Sequence, residues 1–235
     1  MPQNLIPAKH IVRNCISNRG YIAHEYAMDI YRGCNHGCIY CYARSSYYEK
    51  TEDFACIRVK EDALRIVRDD LRRKTRKGIV LNGCLTDPYN ALERELKLTR
   101  HVLELLQAFE FGFSLISKSD LVVRDIDVLQ DIKENAPVGI NFSITCSDDE
   151  MSSKVEPGAP VTSKRFDAIR QLSKSGITTG VLMDPILPYI NDTEENVVTM
   201  VKMAKDAGAS YMYLSPMVTM ASKRRCSEKK QSTYC

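Results

Sequence analysis

The chain has 235 residues, of which 44% are hydrophobic and 27% charged, and its formal net charge is +3. These values exclude a chain that is disordered over most of its length and are typical of one globular domain. No stretch approaches the ~20 apolar residues that a membrane-spanning helix needs, and the N-terminus lacks the apolar run of a secretory signal. We therefore expect a cytoplasmic protein without membrane contact.

Strand-like apolar runs alternate along the chain with segments of helical periodicity. The predicted strands are 27–31, 79–82, 112–117, 138–145, 178–183 and 211–214. The predicted helices are 60–77, 91–109, one that contains Ile126 and Leu129, one that contains Phe166 and Leu172, and one that runs from a capping sequence at 192–195 to residue 207. This alternation predicts an α/β fold in which six βα units form a partial (β/α)6 TIM-like barrel of parallel strands.

The same pattern divides the chain into three parts. Residues 1–26 are a lead-in segment, 27–217 form the barrel, and 218–235 form a basic tail that we expect to be disordered. Because the chain is almost devoid of apolar residues after Ser222, it has no sixth helix to cover the last strand. We expect a truncated or altered C-terminus and, from it, an unstable or inactive product.

Three cysteines lie within eight residues in the spacing CxxxCxxC, at Cys34, Cys38 and Cys41. Thiolates suit iron–sulfur clusters, and a loop this short can bind three corners of a cubane. Gly33 and Gly37 allow the backbone to approach the cluster closely. Since structural zinc and ferredoxin clusters normally take four ligands, three thiolates indicate a [4Fe-4S] cluster with one open iron, to which S-adenosylmethionine (SAM) can bind.

Two other interpretations of the cysteines remain open. A zinc ion with a fourth ligand from His36 or a distant cysteine fits the spacing less well, and the thiols can also be incidental residues on a loop. Cysteines in the cytoplasm are expected to be reduced, which favours metal binding over disulfides.

The cysteine loop after a first strand, Tyr40 immediately before the third cysteine, and six βα units together resemble the radical SAM superfamily. The resemblance covers about residues 27–217. It implies that Cys34, Cys38 and Cys41 hold the cluster at the C-terminal mouth of the barrel and that SAM is cleaved to a 5′-deoxyadenosyl radical. It also implies that Tyr40 packs near the SAM adenine and that a flavodoxin or ferredoxin type reductant is the partner.

A narrower resemblance is to the spore photoproduct lyase-like branch, also called DNA repair photolyases. It rests on residues 31–41, on the Thr-Asp-Pro-Tyr-Asn turn at 86–90, and on the Lys118-Ser119 pair. The resemblance implies that Cys84 gives a hydrogen atom to the product radical, that Tyr40 and Tyr42 relay the radical, and that Lys118 contacts the SAM carboxylate. Cys84 can equally be a small buried apolar residue, and Lys118 an ordinary lysine at a helix start.

Two further observations bear on the SAM site. Ser143 alternates with Ile144 on a predicted strand and is placed to line the barrel interior near SAM, although polar residues also alternate on half-exposed strands. The Gly-Gly-Glu sequence that contacts the SAM amino group in many family members is absent, and Asn82-Gly83-Cys84 takes its place. The contact to the amino group is therefore left unassigned.

The sequence thus predicts a radical SAM enzyme, with a lyase acting on a nucleic-acid lesion, such as DNA, as the leading hypothesis. The near-neutral charge outside the basic tail speaks against tight DNA binding, since phosphate neutralisation dominates DNA affinity. The alternatives are a radical SAM enzyme that acts on a small molecule or peptide, and a non-enzymatic iron–sulfur protein.

Overall fold

A computed structural model describes residues 5–15, 22–44 and 54–216, so the predicted basic tail lies outside the described residues. The strands of this part, in chain order, are Leu5–Ile6 (β1), Arg13–Asn14 (β2), Tyr26–Met28 (β3), Tyr31–Arg32 (β4), Arg58–Lys60 (β5), Ile79–Asn82 (β6), Gly112–Ser117 (β7), Val138–Ser143 (β8), Thr178–Ile186 (β9) and Tyr211–Pro216 (β10). They form two sheets that differ in size and strand direction.

The larger sheet has seven strands in the order β10-β9-β8-β7-β6-β3-β2. Its six strands from β3 to β10 are parallel to their neighbours and follow one another in chain order. Only β2 is antiparallel, at the edge beside β3. Consecutive parallel strands need a crossover between them, and this is the topology of a partial barrel. The predicted α/β fold with six parallel strands is confirmed.

The smaller sheet, in the order β1-β5-β4, corrects the predicted first strand. The prediction of one strand over 27–31 is wrong, because the parallel strand ends at Met28 and the chain then turns into β4, which pairs with β5. Lys60 lies in β5, so the predicted helix 60–77 begins too early. The described part of the lead-in segment contributes β1 to one sheet and β2 to the other.

The helices lie between the strands of the main sheet. Their bounds are Ala63–Arg73 (α1), Glu93–Leu96 (α2), Leu98–Ala108 (α3), Ile126–Lys133 (α4), Asp149–Val155 (α5), Thr162–Lys174 (α6) and Glu194–Asp206 (α7), with 3-10 turns at Tyr42–Arg44 and Asp120–Asp125. Each described helix is too short or too polar to cross a lipid bilayer.

Local interactions account for three differences from the predicted helices. The predicted helix 91–109 is split at Lys97, whose φ is +51°. The helix α5 was not predicted, and the side chain of Asp148 caps it by accepting the amide N–H of Met151. At α7 the capping side chain is Thr193 and not Asp192.

Neighbouring residues of a central strand face two different apolar clusters. In β6, Val80 is fully buried in the main core between sheet and helices, whereas Leu81 belongs to a small inner cluster with Leu182 and Cys84. Successive side chains of a strand point to opposite faces, so the inner cluster marks the barrel interior. The interior therefore has few apolar residues and leaves room at the carboxyl ends of the strands.

Most of the described cysteines are thiols. The free ones are Cys34, Cys38, Cys41, Cys56, Cys84 and Cys146. Cys15 is disulfide-bonded, so the expectation that every cysteine is reduced is wrong at that position.

Candidate active site at the mouth of the barrel

A cavity of about 270 Å³ lies at the carboxyl ends of the central strands, and we call it the cluster cavity. Side chains from five separate chain segments meet there, and they include seven of the predicted site residues: Cys34, Cys38, Cys41, Tyr42, Cys84, Lys118 and Ser143. Cys84 follows β6, Lys118 follows β7, and Ser143 ends β8. Parallel strands bring their carboxyl ends to one edge, which is where barrels carry their active sites.

The first half of the cysteine loop is held against the segment that precedes β5. The amide of Cys34 donates to the carbonyl of Phe54 at 2.8 Å. Gly33 has a φ of +87°, and a Cβ there would lie 2.4 Å from the carbonyl oxygen of Cys56. Only glycine fits such a position, so Gly33 fixes the path of the backbone that presents Cys34.

The second half of the loop is held by the chain that leaves α5. The amide of Ile39 donates to the carbonyl of Val155 at 3.0 Å, and the amide of Gly158 donates to the carbonyl of His36 at 2.8 Å. A Cβ on Gly158 would lie 2.3 Å from the carbonyl oxygen of Asn35. The position of the cysteine loop therefore depends on a helix and a glycine more than 100 residues further along the chain.

The three cysteines fit a [4Fe-4S] cluster by their chemistry and their surroundings. No three Cys, His, Asp or Glu side chains within the described segments already surround one point where a single metal ion would sit. A cubane cluster requires a different arrangement, in which the thiolates lie around the cluster and each binds a different iron. The three cysteines provide soft donors and line one cavity, and their loop has two glycines at positive φ. These features fit a [4Fe-4S] cluster.

Deprotonating these cysteines requires nearby positive charge. Burial, and next the Asp87 carboxylate, raise the pKa of Cys34 to about 11. Burial also raises the pKa of Cys38, although the Lys118 ammonium works in the opposite direction. Metal ions favour the thiolate form, so binding of iron would release protons from both groups.

Tyr40 lies outside the described lining of the cluster cavity, beneath Lys118. Its hydroxyl donates a hydrogen bond to Glu156, and the Nζ of Lys118 lies 5.6 Å from the centre of its ring, within the range of a cation–π contact. Burial, followed by the charge of Glu156, raises the pKa of Tyr40 well above its usual value. Tyr40 thus lies behind the cavity wall, between the buried Glu156 carboxylate and the half-buried Lys118 ammonium.

Glu156 and Arg165 form the buried ion pair behind that wall. Glu156 is 1% exposed and Arg165 is fully buried, and their side chains are in contact. Arg165 also donates to the carbonyls of Ser143 and Pro160. Burial raises the pKa of Glu156, but Lys118 and then Arg165 outweigh it and hold the pKa below its usual value. Burial lowers the pKa of Lys118, and Glu156 reverses that effect, so the ammonium stays charged.

Asp87 is a buried carboxylate that lines the cavity itself, and it connects two strand ends. It accepts hydrogen bonds from the Ser117 hydroxyl at 2.8 Å, the Lys118 amide at 2.8 Å and the Tyr89 amide at 2.9 Å. The Nδ1 of His36 lies 3.6 Å from it. Burial is the largest influence on the pKa of His36 and lowers it, so the imidazole is neutral at neutral pH.

Cys84 and Tyr42 are neighbours in the lining of the cluster cavity. The hydroxyl of Tyr42 donates to the carbonyl of Cys84 at 2.9 Å. Gly83 has a φ of +98°, and a Cβ there would lie 1.9 Å from the carbonyl oxygen of Ile116, so only glycine fits before Cys84. Burial, and next the Asp29 carboxylate, raise the pKa of the Cys84 thiol to about 12. Cys84 therefore keeps its S–H bond at neutral pH.

The geometry brings most of the predicted site residues together and adds others. Tyr42 lines the cluster cavity, whereas Tyr40 is not among the residues that line it in the described part of the chain. Sequence reasoning missed Asp87 and Glu156 as parts of the site. A signal for Asp87 was available, because it lies in a polar turn directly after a buried strand. Glu156 follows the unpredicted α5, and no sequence pattern marks it.

The comparisons with known proteins agree with this fold. The family model described as the radical SAM superfamily matches residues 28–208, which is more than half of the chain. The chain therefore belongs to the radical SAM superfamily. The cofactors of this family are a [4Fe-4S] cluster and SAM, and the solved structures similar to this chain include proteins with bound AdoMet.

Two curated relatives show how far the similarity extends. An uncharacterised protein of Mycobacterium bovis is 29% identical over 203 residues, which is 84% of this chain and 60% of that protein. The spore photoproduct lyase of Bacillus subtilis is 25% identical over 170 residues, which is 72% of this chain and 47% of the lyase. The chain thus spans about 60% of the length of the first of these relatives.

A solved structure of a spore photoproduct lyase complexed with dinucleoside spore photoproduct has a similar fold. Its TM-score is 0.65 at 18% identity, and the match covers 98% of this chain and 67% of the lyase chain. At this identity the match supports the fold, which is that of the radical SAM partial barrel.

Proposed function

We propose that this chain is a radical SAM lyase in which Cys34, Cys38 and Cys41 hold a [4Fe-4S] cluster and Cys84 returns a hydrogen atom to a substrate radical. The observation that supports it best is the shared cavity, since the three cysteines, Lys118 and Cys84 reach it from different strand ends. Catalysis of this kind requires the radical source and the hydrogen donor to lie around one enclosed space.

The residues beside the cysteines suit SAM, which carries a carboxylate. Lys118 lines the cavity, the charge of Glu156 raises its pKa so that it stays a cation, and it would bind the SAM carboxylate. Ser143 lines the same wall and offers a hydroxyl. When bound, the reduced cluster and SAM supply a 5′-deoxyadenosyl radical, for which an external donor of flavodoxin or ferredoxin type provides the electron.

Cys84 has the properties of a hydrogen-atom donor. Its thiol is protonated at neutral pH because burial raises its pKa to about 12. In the proposed step the S–H bond breaks, a C–H bond forms on the substrate radical, and the unpaired electron remains on sulfur. Tyr42, whose hydroxyl lies 2.9 Å from the Cys84 carbonyl oxygen, is placed to return a hydrogen atom to that sulfur. Its O–H bond breaks as the S–H bond forms, and the unpaired electron left on the phenol oxygen is removed by one electron from the external donor and one proton. Tyr40, hydrogen-bonded to Glu156, is less suited to this relay.

The proposed substrate is a nucleic-acid lesion of the spore photoproduct type. This part of the proposal rests on similarity to a lyase whose solved structure contains dinucleoside spore photoproduct, together with Cys84 after β6. Since that lyase is matched over 67% of its length at 18% identity, the substrate needs a direct test.

The first experiment tests SAM cleavage. The protein is reconstituted anaerobically with iron and sulfide, reduced with dithionite and given SAM, and 5′-deoxyadenosine is measured. We expect production by the wild type and by Cys56→Ala, since Cys56 is in no disulfide and does not line the cluster cavity, and none by Cys38→Ala. A fully loaded cluster without SAM cleavage, or activity in Cys38→Ala, would contradict the proposal.

The second experiment tests the lyase step with an oligonucleotide that carries spore photoproduct. We expect repair by the wild type and by Cys146→Ala, which removes a buried thiol outside the cavity lining. Cys84→Ala should still cleave SAM but lose correct repair and give side products of an unquenched radical. If Cys84→Ala repairs the lesion as well as the wild type does, Cys84 is not the hydrogen donor. If the wild type does not repair it, spore photoproduct is not the substrate.

A further inference from the structure

The helix α7 has apolar side chains on two of its faces. One face packs in the main core through Met200, Ala204 and Ala207. The other face carries Val198, which is 42% exposed, and Val201, which is 47% exposed. Residues three apart are neighbours on a helix surface, so the two valines form one apolar stripe that is turned away from the core. One exposed valine is ordinary in a folded protein, but a stripe of them on one helix face needs a partner surface.

The layer of helices is also open over the strand that follows α7. The strand β10 forms one edge of the main sheet, and α7 is the last helix of the described residues. Leu214 of β10 pairs in register with Met183, which is buried in the main core, so Leu214 faces the helix layer. Leu214 is nevertheless 39% exposed. A helix from outside this part of the chain can therefore pack beside α7.

Two charged residues flank the valines at equal spacing. Glu194 lies four residues before Val198, and Lys205 lies four residues after Val201, so all four side chains share one face of α7. Glu194 is in the first turn of the helix and Lys205 in the last, about 16 Å apart, which is too far for them to pair with each other. Both are exposed, and neither has an ion pair within the described segments.

This face is complementary to a second copy of itself when the two helices run antiparallel. The midpoint between Val198 and Val201 is also the midpoint between Glu194 and Lys205. A two-fold axis through that point brings the valines of both copies together and places each Glu194 opposite Lys205 of the partner subunit. The same patch then serves on both subunits, as in other two-fold symmetric dimers. The antiparallel helix dipoles favour this arrangement as well.

We propose that α7 is the contact surface of a homodimer, in which the faces of Glu194, Val198, Val201 and Lys205 pair antiparallel in two copies of the chain. One pair of helices buries less than the ~1,200–2,000 Å² of a stable interface, so the association is weak, with a dissociation constant on the order of 10 µM. The described lining of the cluster cavity contains no residue of α7. The interface is therefore independent of the proposed function.

The test is sedimentation velocity of the reconstituted full chain from about 1 to 100 µM, with a reductant that excludes disulfide-linked dimers. We expect the wild type to change from monomer to dimer over this range. Glu194→Lys and Lys205→Glu should each weaken dimerisation by about tenfold, because each places like charges opposite each other at both ends of the helix pair. An equimolar mixture of the two variants should recover the wild-type affinity, since every lysine of one chain then faces a glutamate of the other.

Glu195→Lys is the matched control, because it makes the same charge change in the first turn of α7 but lies beside the stripe. It should leave dimerisation unchanged, and thermal unfolding shows whether each variant is folded. Three results would overturn the proposal: a wild type that stays monomeric, a dimer that tolerates both charge reversals, or a mixture of the two variants that associates no better than either alone. Formation of 5′-deoxyadenosine should be equal in all these variants, and its absence from every sample counts against the proposed function and not against the interface.

Discussion

Two networks of buried charge lie on opposite sides of the turn at residues 86–90. The inner network surrounds the cluster cavity, where Glu156 contacts Arg165 and Tyr40. The outer network lies among β4, α2 and the 3-10 turn at 120–125, where Glu93 accepts hydrogen bonds from Tyr31 at 2.6 Å and Arg124 at 2.8 Å. Both glutamates are 1% exposed or less, and each bonds to one tyrosine and one arginine.

The two networks differ in whether they act on residues that line the cluster cavity. None of the outer network's Glu93, Arg124 or Asp125 lines the cluster cavity, and their hydrogen bonds connect α2 to β4 and to the 3-10 turn at 120–125. The inner network acts on Cys38 and Lys118, which do line it. Buried charge therefore does not by itself identify a functional site in this fold. The candidate site is marked instead by buried charge that acts on groups lining an open cavity.

The two glutamates allow the most direct test of this difference, with the largest expected effect. Glu156→Gln should lower the free energy of unfolding by about 3–5 kcal/mol, because it leaves the buried Arg165 without its carboxylate. Glu93→Gln should lower it by less, about 1–3 kcal/mol, because Arg124 is 22% exposed and keeps its contacts with Asp125. Only Glu156→Gln removes a negative charge that acts on Cys38. It should raise the midpoint potential of the reconstituted cluster, on the order of tens of mV.

Denaturant unfolding and spectroelectrochemical titration measure these two effects. Glu93→Gln is the matched control, since its charge change is the same and its site is equally buried. A potential that shifts equally in both variants would mean that the outer network acts on the cluster as strongly as the inner one.

Asp29 extends the comparison to a carboxylate that is 12% exposed and whose ion pair with Arg13 is long, at 3.9 Å. Burial raises its pKa from 3.8 to about 6, against the charges of Lys60 and Arg13. Because the folded-state pKa is the higher one, the neutral form stabilises the fold below about pH 4, and this contribution is lost as the pH rises through 6. Asp29→Asn should be about 2 kcal/mol more stable than the wild type at pH 8 and equal to it at pH 4. Urea unfolding at both pH values measures this, and a gain that does not change with pH would contradict it.

Lys118 tests whether the inner network serves SAM. Lys118→Met should weaken SAM binding by about tenfold, because the carboxylate loses a charge-assisted hydrogen bond. Lys133→Met is the control, since the Nζ of Lys133 donates to the Gly176 carbonyl at the opposite end of the barrel. Calorimetry with the reconstituted variants measures both affinities. Equal affinities in the two variants would remove Lys118 from the SAM site.

The tyrosines are expected to give the smallest effect. Tyr40→Phe and Tyr31→Phe each delete one hydrogen bond to a buried glutamate and should each cost about 1 kcal/mol of stability. Only Tyr40→Phe should also weaken SAM binding, by a few-fold, because the ring beneath Lys118 loses its anchor. Thermal unfolding and SAM titration distinguish the two. A weaker SAM complex in Tyr31→Phe would show that the outer network reaches the site.

The parallel strands and the cysteine loop could be predicted because they depend on local patterns. Apolar runs such as 112–117 and the spacing of Cys34, Cys38 and Cys41 are visible within a few residues of sequence. The first strand was misplaced since nothing local says that the chain leaves the main sheet after Met28. That turn is fixed by the pairing of Tyr31 with Val59, which is distant in sequence.

The surroundings of the cofactors were harder to predict for the same reason. Glu156 and Tyr40 are hydrogen-bonded but lie 116 residues apart in sequence, and Asp87 and the amide of Lys118 lie 31 residues apart. Tyr40 and Tyr42 look equivalent in sequence, flanking Cys41, and only the folded chain separates them. One faces Glu156, and the other faces the carbonyl of Cys84.

The Asp87 carboxylate accepts the backbone amides of Tyr89 and Lys118, and so holds the turn after β6 to the end of β7. If the Asp87 carboxylate moves away, both amides lose their hydrogen bonds at the same time. Their deuterium uptake in native-state hydrogen exchange should therefore rise together and report opening of the barrel mouth on the timescale of local unfolding. The Tyr89 hydroxyl meanwhile donates to Asp125 of the outer network, so the same five-residue turn connects the outer network to the entrance of the site.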